Sequence, residues 1–207
     1  MSMPTRETAV RGTAWTLAER LSVQMMQFIT GIVLARLLAP DDYGMVGLLS
    51  IFLGVAQLFI DSGFTNALVR KQDKNSTDYS TVFYFNIVVS LLLYGILYLC
   101  APFISRFYNL EDLTPITRII SLTVIINGFC IVQTAKFTSE FNFKAQALAS
   151  IMSVLGSGTL GILMAYNDYG VWALVWQSVS MAGIRMVSLW IMSDWKPEFV
   201  FSLTSFK

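Results

Sequence analysis

Hydrophobic residues in this chain come in long, nearly continuous runs. Six such runs, at 13–38, 43–68, 79–104, 114–136, 144–166 and 169–193, are separated by short polar segments. Each run reaches the roughly 20 mostly apolar residues that an α-helix needs to cross a hydrocarbon core. β-Strands are a poor fit, because the runs are too long and do not alternate. The punctuation supports the breaks. Ala39-Pro-Asp-Asp-Tyr-Gly44 reads as a turn, with Asp41 and Asp42 there for backbone reasons. Arg70–Asp78 and Asn109–Pro115 read as polar loops, with Pro115 suited to a helix's first turn. Asn167-Asp-Tyr-Gly170 is the tightest connection and predicts a hairpin of the fifth and sixth helices. The pattern predicts an all-α, polytopic membrane protein, with residues 1–207 forming one six-transmembrane-helix bundle.

Composition agrees. Of 207 residues, 55% are hydrophobic and only 13% are charged, about half the charged share of an ordinary soluble domain. Mean hydropathy is +0.62, more apolar surface than a globular core of this length can hide. A net charge of +1 makes no case for a nucleic-acid partner. The absence of His excludes His-based catalysis and most zinc sites, and no metal or cofactor is expected. Cys100 and Cys130 fall inside apolar runs, where a cysteine behaves as a small hydrophobe. The first run carries Glu19 and Arg20 and lacks a short apolar core with a small-residue cleavage site, so it reads as a retained span and not a secretory signal.

Lys and Arg sort between the two sides. Arg6, Arg11, Arg70, Lys71, Lys74, Lys136, Lys144, Lys196 and Lys207 fall on one side, and Arg106, with Arg36 at a helix end, on the other. The positive-inside rule then places both termini in the cytoplasm, as an even number of spans also requires. Trp172, Trp176, Trp190 and Trp195 cluster near the ends of the last span, where amphipathic rings favour the interface.

The polar residues within the runs form stripes. The first run carries Thr16, Arg20, Gln24, Gln27 and Gly31, the second Ser50, Gly54, Gln57, Asp61 and Thr65, the fifth Gln146, Ser150, Ser153, Ser157 and Gly161. Steps of three or four put each set on one helical face. The sixth run adds Gln177, Arg185 and Ser188, and the fourth Arg118 and Ser121. For the fifth run, close helix packing is the favoured reading. Packing does not require a charge in the membrane interior, which normally faces a cavity or a partner. Counting inward from the ends of the runs puts Arg20, Asp61 and Arg185 in one layer, roughly 10–12 Å deep. They read as a cationic cavity for an anionic ligand, with Gln24, Gln27 and Gln57 lining it. Asp61, with Glu19 beside Arg20, is the candidate for ion coupling. An Asp61–Arg ion pair that only holds helices together is the competing reading. Arg118 and Arg36 lie toward the other side, as outer steps of the same path or as snorkelling side chains.

Gly156-Ser-Gly-Thr-Leu-Gly161 matches G-x-G-x-x-G, but it lies in an apolar helix without the βαβ context of a dinucleotide site. Asn75-Ser-Thr77 matches a glycosylation sequon in a loop expected to be cytoplasmic. The sequence shows no Ser-His-Asp, Cys-His or paired-carboxylate constellation, so no enzymatic activity is expected.

Four segments carry a family resemblance. Leu34-Ala-Arg-Leu-Leu-Ala-Pro-Asp-Asp-Tyr-Gly44 and Asp61-Ser-Gly-Phe-Thr-Asn-Ala-Leu-Val-Arg70 resemble the ends of the first two helices of polysaccharide transporters, the O-antigen and exopolysaccharide flippases. Tyr169-Gly-Val-Trp-Ala-Leu-Val175 is similar to the opening of their sixth helix, and Trp195-Lys-Pro197 through Phe201-Ser202 to the segment after it. Taken in order, the segments look most like the Wzx-type branch linked to colanic acid and teichuronic acid export. The resemblance implies one lobe of a MATE-like fold in the multidrug/oligosaccharidyl-lipid/polysaccharide exporter superfamily, in which two six-helix lobes enclose a cavity and work by alternating access. It implies an undecaprenyl-diphosphate-linked oligosaccharide as substrate, flipped across a bacterial inner membrane beside polysaccharide polymerase and assembly machinery. The cavity arginines would suit the diphosphate. Such transporters run to about twice this length, and Phe201–Lys207 resembles the start of an inter-lobe helix. The expectation is therefore an N-terminal lobe completed by a missing C-terminal lobe or a second copy. An ion-coupled drug or small-solute exporter of the same superfamily and a non-transporting subunit of an assembly complex are the other readings.

Overall fold

The computed structural model of the chain describes residues 6–60, 76–140 and 142–197, with side chains from Arg20 in the first stretch and Tyr79 in the second. Every regular element among them is a helix: α1 (Arg6–Leu37), α2 (Pro40–Ile60), α3 (Ser76–Tyr108), α4 (Leu113–Ile120), α5 (Leu122–Ser139), α6 (Phe143–Tyr166) and α7 (Val171–Met192). The chain is all-α, as the run lengths require. Asp61, the rest of the 61–75 segment with Asn75 of the sequon, residues 198–207 and the Glu19 side chain lie outside the described residues.

Local chemistry sets the helix ends. The Ala39–Gly44 segment is shorter as a turn than its composition suggests, because α2 starts at Pro40. Proline at the first helical position has no N–H to leave unpaired. The Asp42 carboxylate accepts the Ala39 backbone N–H at 3.1 Å, one half of a capping box. Asp41 and Asp42 both sit in the first turn, where negative charge favours the helix dipole. The fourth run is two helices, because α4 gives way to α5 at Ser121. There the Ser121 hydroxyl donates to the Thr117 carbonyl at 2.5 Å and Thr117 donates to Leu113 at 2.6 Å. Such back-bonding bends a helix without ending its ladder, and the Ser121 amide still donates to Thr117. Gly170 opens α7 at φ +54°, a backbone conformation that a side chain disfavours.

Five segments are long and apolar enough to cross a membrane: α2, most of α3 (Tyr79–Tyr108), α4 with α5 (Leu113–Ser139), α6 and α7. The most apolar windows of these spans are only 17–50% buried within the protein. Side chains such as Leu92, Leu99, Phe103 and Ile191 point outward. That much exposed apolar surface is tolerable only in lipid, and the chain is a multi-pass membrane protein. α1 has 32 residues, ample length to span, but Arg20, Gln24 and Gln27 make it more polar than the other five.

The α6–α7 hairpin forms the middle of the bundle. α1 packs on α6, α5 and α2 pack on α7, and α3 packs on α5 and α4. One hydrophobic cluster joins Leu49, Ile104, Leu113, Ile116, Ile120, Val171 and Val175 near the α3–α4 and α6–α7 turns. Another joins Tyr79, Phe83, Val132 and Trp195 at the opposite end. There Phe83 meets Trp190 and Trp195 edge-on at 5.7 and 5.8 Å, so the chain after α7 folds back onto α3. Small residues let the helices approach. A Cβ on Gly158 would lie 3.0 Å from the Thr30 hydroxyl of α1, and one on Gly161 would lie 3.1 Å from Gln177 Cβ of α7. The G-x-G-x-x-G segment is thus a helix-packing surface. Although consecutive, α1 and α2 scarcely touch.

Gly128 of α5 is the tightest crossing, since an added Cβ would overlap the Ser90 side chain of α3, whose Cβ would be 2.9 Å away. Gly128→Ala should lower stability by about 1–3 kcal/mol through overpacking, measured as a lower thermal midpoint in detergent. Gly183→Ala, where a Cβ meets nothing within 4 Å, should leave the midpoint unchanged.

Candidate functional site

The poor contact between α1 and α2 leaves an opening on one side of the α6–α7 hairpin. In it lies a cavity of about 270 Å³. Gln27, Thr30, Gly31 and Leu34 of α1 form one wall and Tyr43 of α2 the other. Val154 and Ser157 of α6 with Leu174, Gln177, Ser178 and Met181 of α7 form the floor. The Tyr43 hydroxyl donates to the Gly31 carbonyl at 3.4 Å, a long bond that bridges the mouth. The lining carries amides and hydroxyls and no charge, so it can exchange hydrogen bonds with water or a hydroxylated group but cannot neutralise an ion. The volume holds about nine waters at roughly 30 Å³ each, less than the 300–1,000 Å³ of an ordinary ligand pocket. It is a polar recess beside a larger open face and not an enclosed binding chamber.

That face runs along α1 and α2. Arg20, Gln24 and Gln27 are exposed, and so are Gly44, Gly47, Ser50 and Gly54 of α2. Gly31, Gly44, Gly47 and Gly54 each border open space. Glycines with nothing against them are not sites of packed contact.

The sequence-derived candidates distribute unevenly. Gln27 lines the recess, and Gln24 and Arg20 continue its α1 wall toward the helix N-terminus. Gln57 turns away, since its side-chain oxygen accepts the Asn127 amide of α5 at 3.1 Å. There Gln57 serves helix packing. Arg118 also lies apart, with its guanidinium carbon 4.3 Å above the Tyr98 ring of α3. Arg185 is half-buried on α7. Neither Arg20 nor Arg185 has a hydrogen bond or ion pair with any described residue. The single layer of Arg20 with Arg185 is a correction. Thr30 packs at Gly158, while Ile184 packs at Gly156, which sets Arg185 level with Gln27. Arg20 is about two turns, roughly 10 Å, closer to the α1 N-terminus. Counting inward misplaced it because residue 13 does not mark the level at which the neighbouring helices end; α1 is already helical from Arg6.

Sequence reasoning assigned Ser157 and Gly161 to packing. Both are buried against α1 or α7, yet Ser157 also reaches the recess. Tyr43, Thr30 and Ser178 were not singled out as lining residues. Thr30 at i+3 from Gln27 was the available signal, whereas Tyr43 enters only through the chain reversal before α2.

Residues 33–207 match the family model for polysaccharide biosynthesis protein. The chain is 25% identical over 95% of its length to the succinoglycan biosynthesis transport protein ExoT of Rhizobium meliloti, covering 40% of that protein. It is 27% identical over 95% of its length to the teichuronic acid biosynthesis protein TuaB of Bacillus subtilis, covering 41% of it. It is also 19% identical over 79% of its length to the lipopolysaccharide biosynthesis protein WzxC of Escherichia coli, covering 33% of it. The chain thus spans about two fifths of the length of the first two of these curated relatives. No solved structure matches it significantly. With 33–207 inside one family model, and with helices built to cross a membrane around a polar opening, the chain belongs to the polysaccharide biosynthesis protein family.

Proposed function

We propose that this chain is the N-terminal six-helix lobe of a polysaccharide exporter that moves a lipid-linked oligosaccharide across a bacterial inner membrane by alternating access. The observation that carries this reading is the unpacked polar face of α1 and α2, in a membrane protein of this family. Three relatives are named for three different glycans, succinoglycan, teichuronic acid and lipopolysaccharide. A shared fold serving different glycans favours recognition of what they would have in common, a lipid carrier with a diphosphate. Arg20 and Arg185 are the cations positioned for it. Arg presents a planar fork that pairs with phosphate oxygens, and neither forms a hydrogen bond or ion pair with a described residue. Gln24, Gln27 and the amides and hydroxyls of the recess would pass sugar hydroxyls along by neutral hydrogen bonds, tolerant of sugar identity. Asp61 and Glu19 remain the proposed ion-coupling pair. In this reading both termini are cytoplasmic, α1 is the sixth span, and a second lobe closes the open face. The chain is a transporter component and not an enzyme.

Two measurements test this. In the full-length protein, Arg20→Ala and Arg185→Ala should each reduce polymer export by about tenfold or more, the worth of one charge-assisted hydrogen bond of ~1.5–3 kcal/mol, while membrane insertion stays normal. Unchanged export from both would remove the diphosphate role. In a background with Cys100 and Cys130 replaced by Ala, Gln24→Cys should react with a membrane-impermeant thiol reagent, whereas Leu92→Cys, on the apolar exposed face of α3, should not. Equal protection of both would show that the α1 face is not water-lined.

A further inference from the structure

Arg118 is the least explained charge among the described residues. It lies about five residues inside the span Leu113–Ser139, hence roughly 8 Å along the helix from its start. Its guanidinium does not extend toward the α3–α4 turn. Its central carbon lies over the Tyr98 ring of α3, 4.3 Å from the centroid. Tyr98 in turn packs against Tyr94, with ring centroids 5.9 Å apart and the rings tilted by 47°. The Arg118 Nε is buried and has no hydrogen-bond acceptor. Glu111 and Asp112, the carboxylates closest to it in sequence, are exposed in the turn and form no ion pair with it. An arginine at that depth ordinarily has a counter-charge, and a tyrosine face supplies only part of one.

The site opens away from the α1–α2 groove. α1 packs on α6 and has little or no contact with α4. Around Tyr98, which is 40% exposed, α3 presents Leu91, Leu92 and Leu99 outward. The guanidinium therefore sits at an exposed apolar flank of the described bundle. Its unused N–H groups form a planar edge, which suits a tetrahedral oxyanion bound through two oxygens. The stacked tyrosine holds that edge in place, so little side-chain freedom is lost on binding.

We infer that Arg118 and Tyr98 form a lipid-facing site for the phosphate of a membrane phospholipid, drawn from the leaflet on the α3–α4 side. The headgroup phosphate supplies the missing counter-charge to the guanidinium, while the acyl chains lie along the apolar face of α3. The inference rests on the membrane spans alone and is independent of the transport reading.

The test is lipid retention by the full chain, purified in mild detergent and followed by native mass spectrometry. The two probes are dioleoylphosphatidic acid and dioleoylglycerol, which share their tails and differ in the phosphate. Wild type should retain phosphatidic acid in clear excess over dioleoylglycerol, and millimolar inorganic phosphate should not displace it. Arg118→Gln should lower retention by about tenfold, the loss of a charge-assisted pair. Should Arg118→Gln fail to fold, Tyr98→Leu serves instead. It keeps the charge and should lower retention by about threefold, in line with a cation–π contribution. Arg106→Gln, an exposed arginine at the end of α3, should change nothing. Equal retention of the two probes would overturn the inference, as would full retention in the Arg118 or Tyr98 variant or displacement by inorganic phosphate.

Discussion

A hydrocarbon solvent offers the backbone no hydrogen bonds, and the rest of this structure follows from that constraint. Each spanning segment must satisfy its own N–H and C=O groups, so it must be a helix. Side chains then cannot gain by leaving water, because lipid tails are as apolar as Leu. Helices hold together only where their surfaces fit closely. That is why Gly128, Gly156, Gly158 and Gly161 sit at the α3–α5, α6–α7 and α1–α6 crossings, where an added Cβ would collide or crowd. It is also why buried hydroxyls turn inward on their own helices, as Thr117, Ser121, Ser153 and Ser157 do.

The same rule gives meaning to the places where close fit is absent. α1 and α2 are joined by a two-residue connection, yet they diverge over a groove lined by glycines with nothing against them. The α6–α7 hairpin supplies its floor, and the long Tyr43–Gly31 bond is the one side-chain hydrogen bond described across its mouth. A weak bridge between two loosely joined helices is the kind of element that can open and close without disturbing the core behind it. The core itself is anchored at both ends, by the Leu49–Val175 cluster on one side and the Phe83–Trp195 aromatic cluster on the other.

Charges divide between this groove and the outer flank. Arg20 lies on the groove, Arg185 stands half-buried behind it at the level of the recess, and Arg118 faces the other way on α4. One class of residue in similar helical settings thus has different environments, and the difference comes from which neighbour each helix face meets. Gln57 makes the same point among the neutral residues. By spacing it belongs with Ser50 and Gly54 on one stripe, but Asn127 of α5 takes it into the bundle interior.

By itself the sequence determined that the chain is helical and membrane-embedded, where most helices run and which positions are polar. Run length against bilayer thickness decides the first two, and both are local properties. It also marked Gly156–Gly161 as a packing surface, because small residues at helical spacing have few other uses in lipid. Tertiary structure alone decided the depth of Arg20 relative to Arg185, since depth depends on the register between helices and not on distance from a run's end. It decided that Gln57 and Arg118 leave the groove while Tyr43, Thr30 and Ser178 join Gln27 at the recess. A stripe specifies a face of one helix, but which neighbour that face meets is settled only when the helices pack.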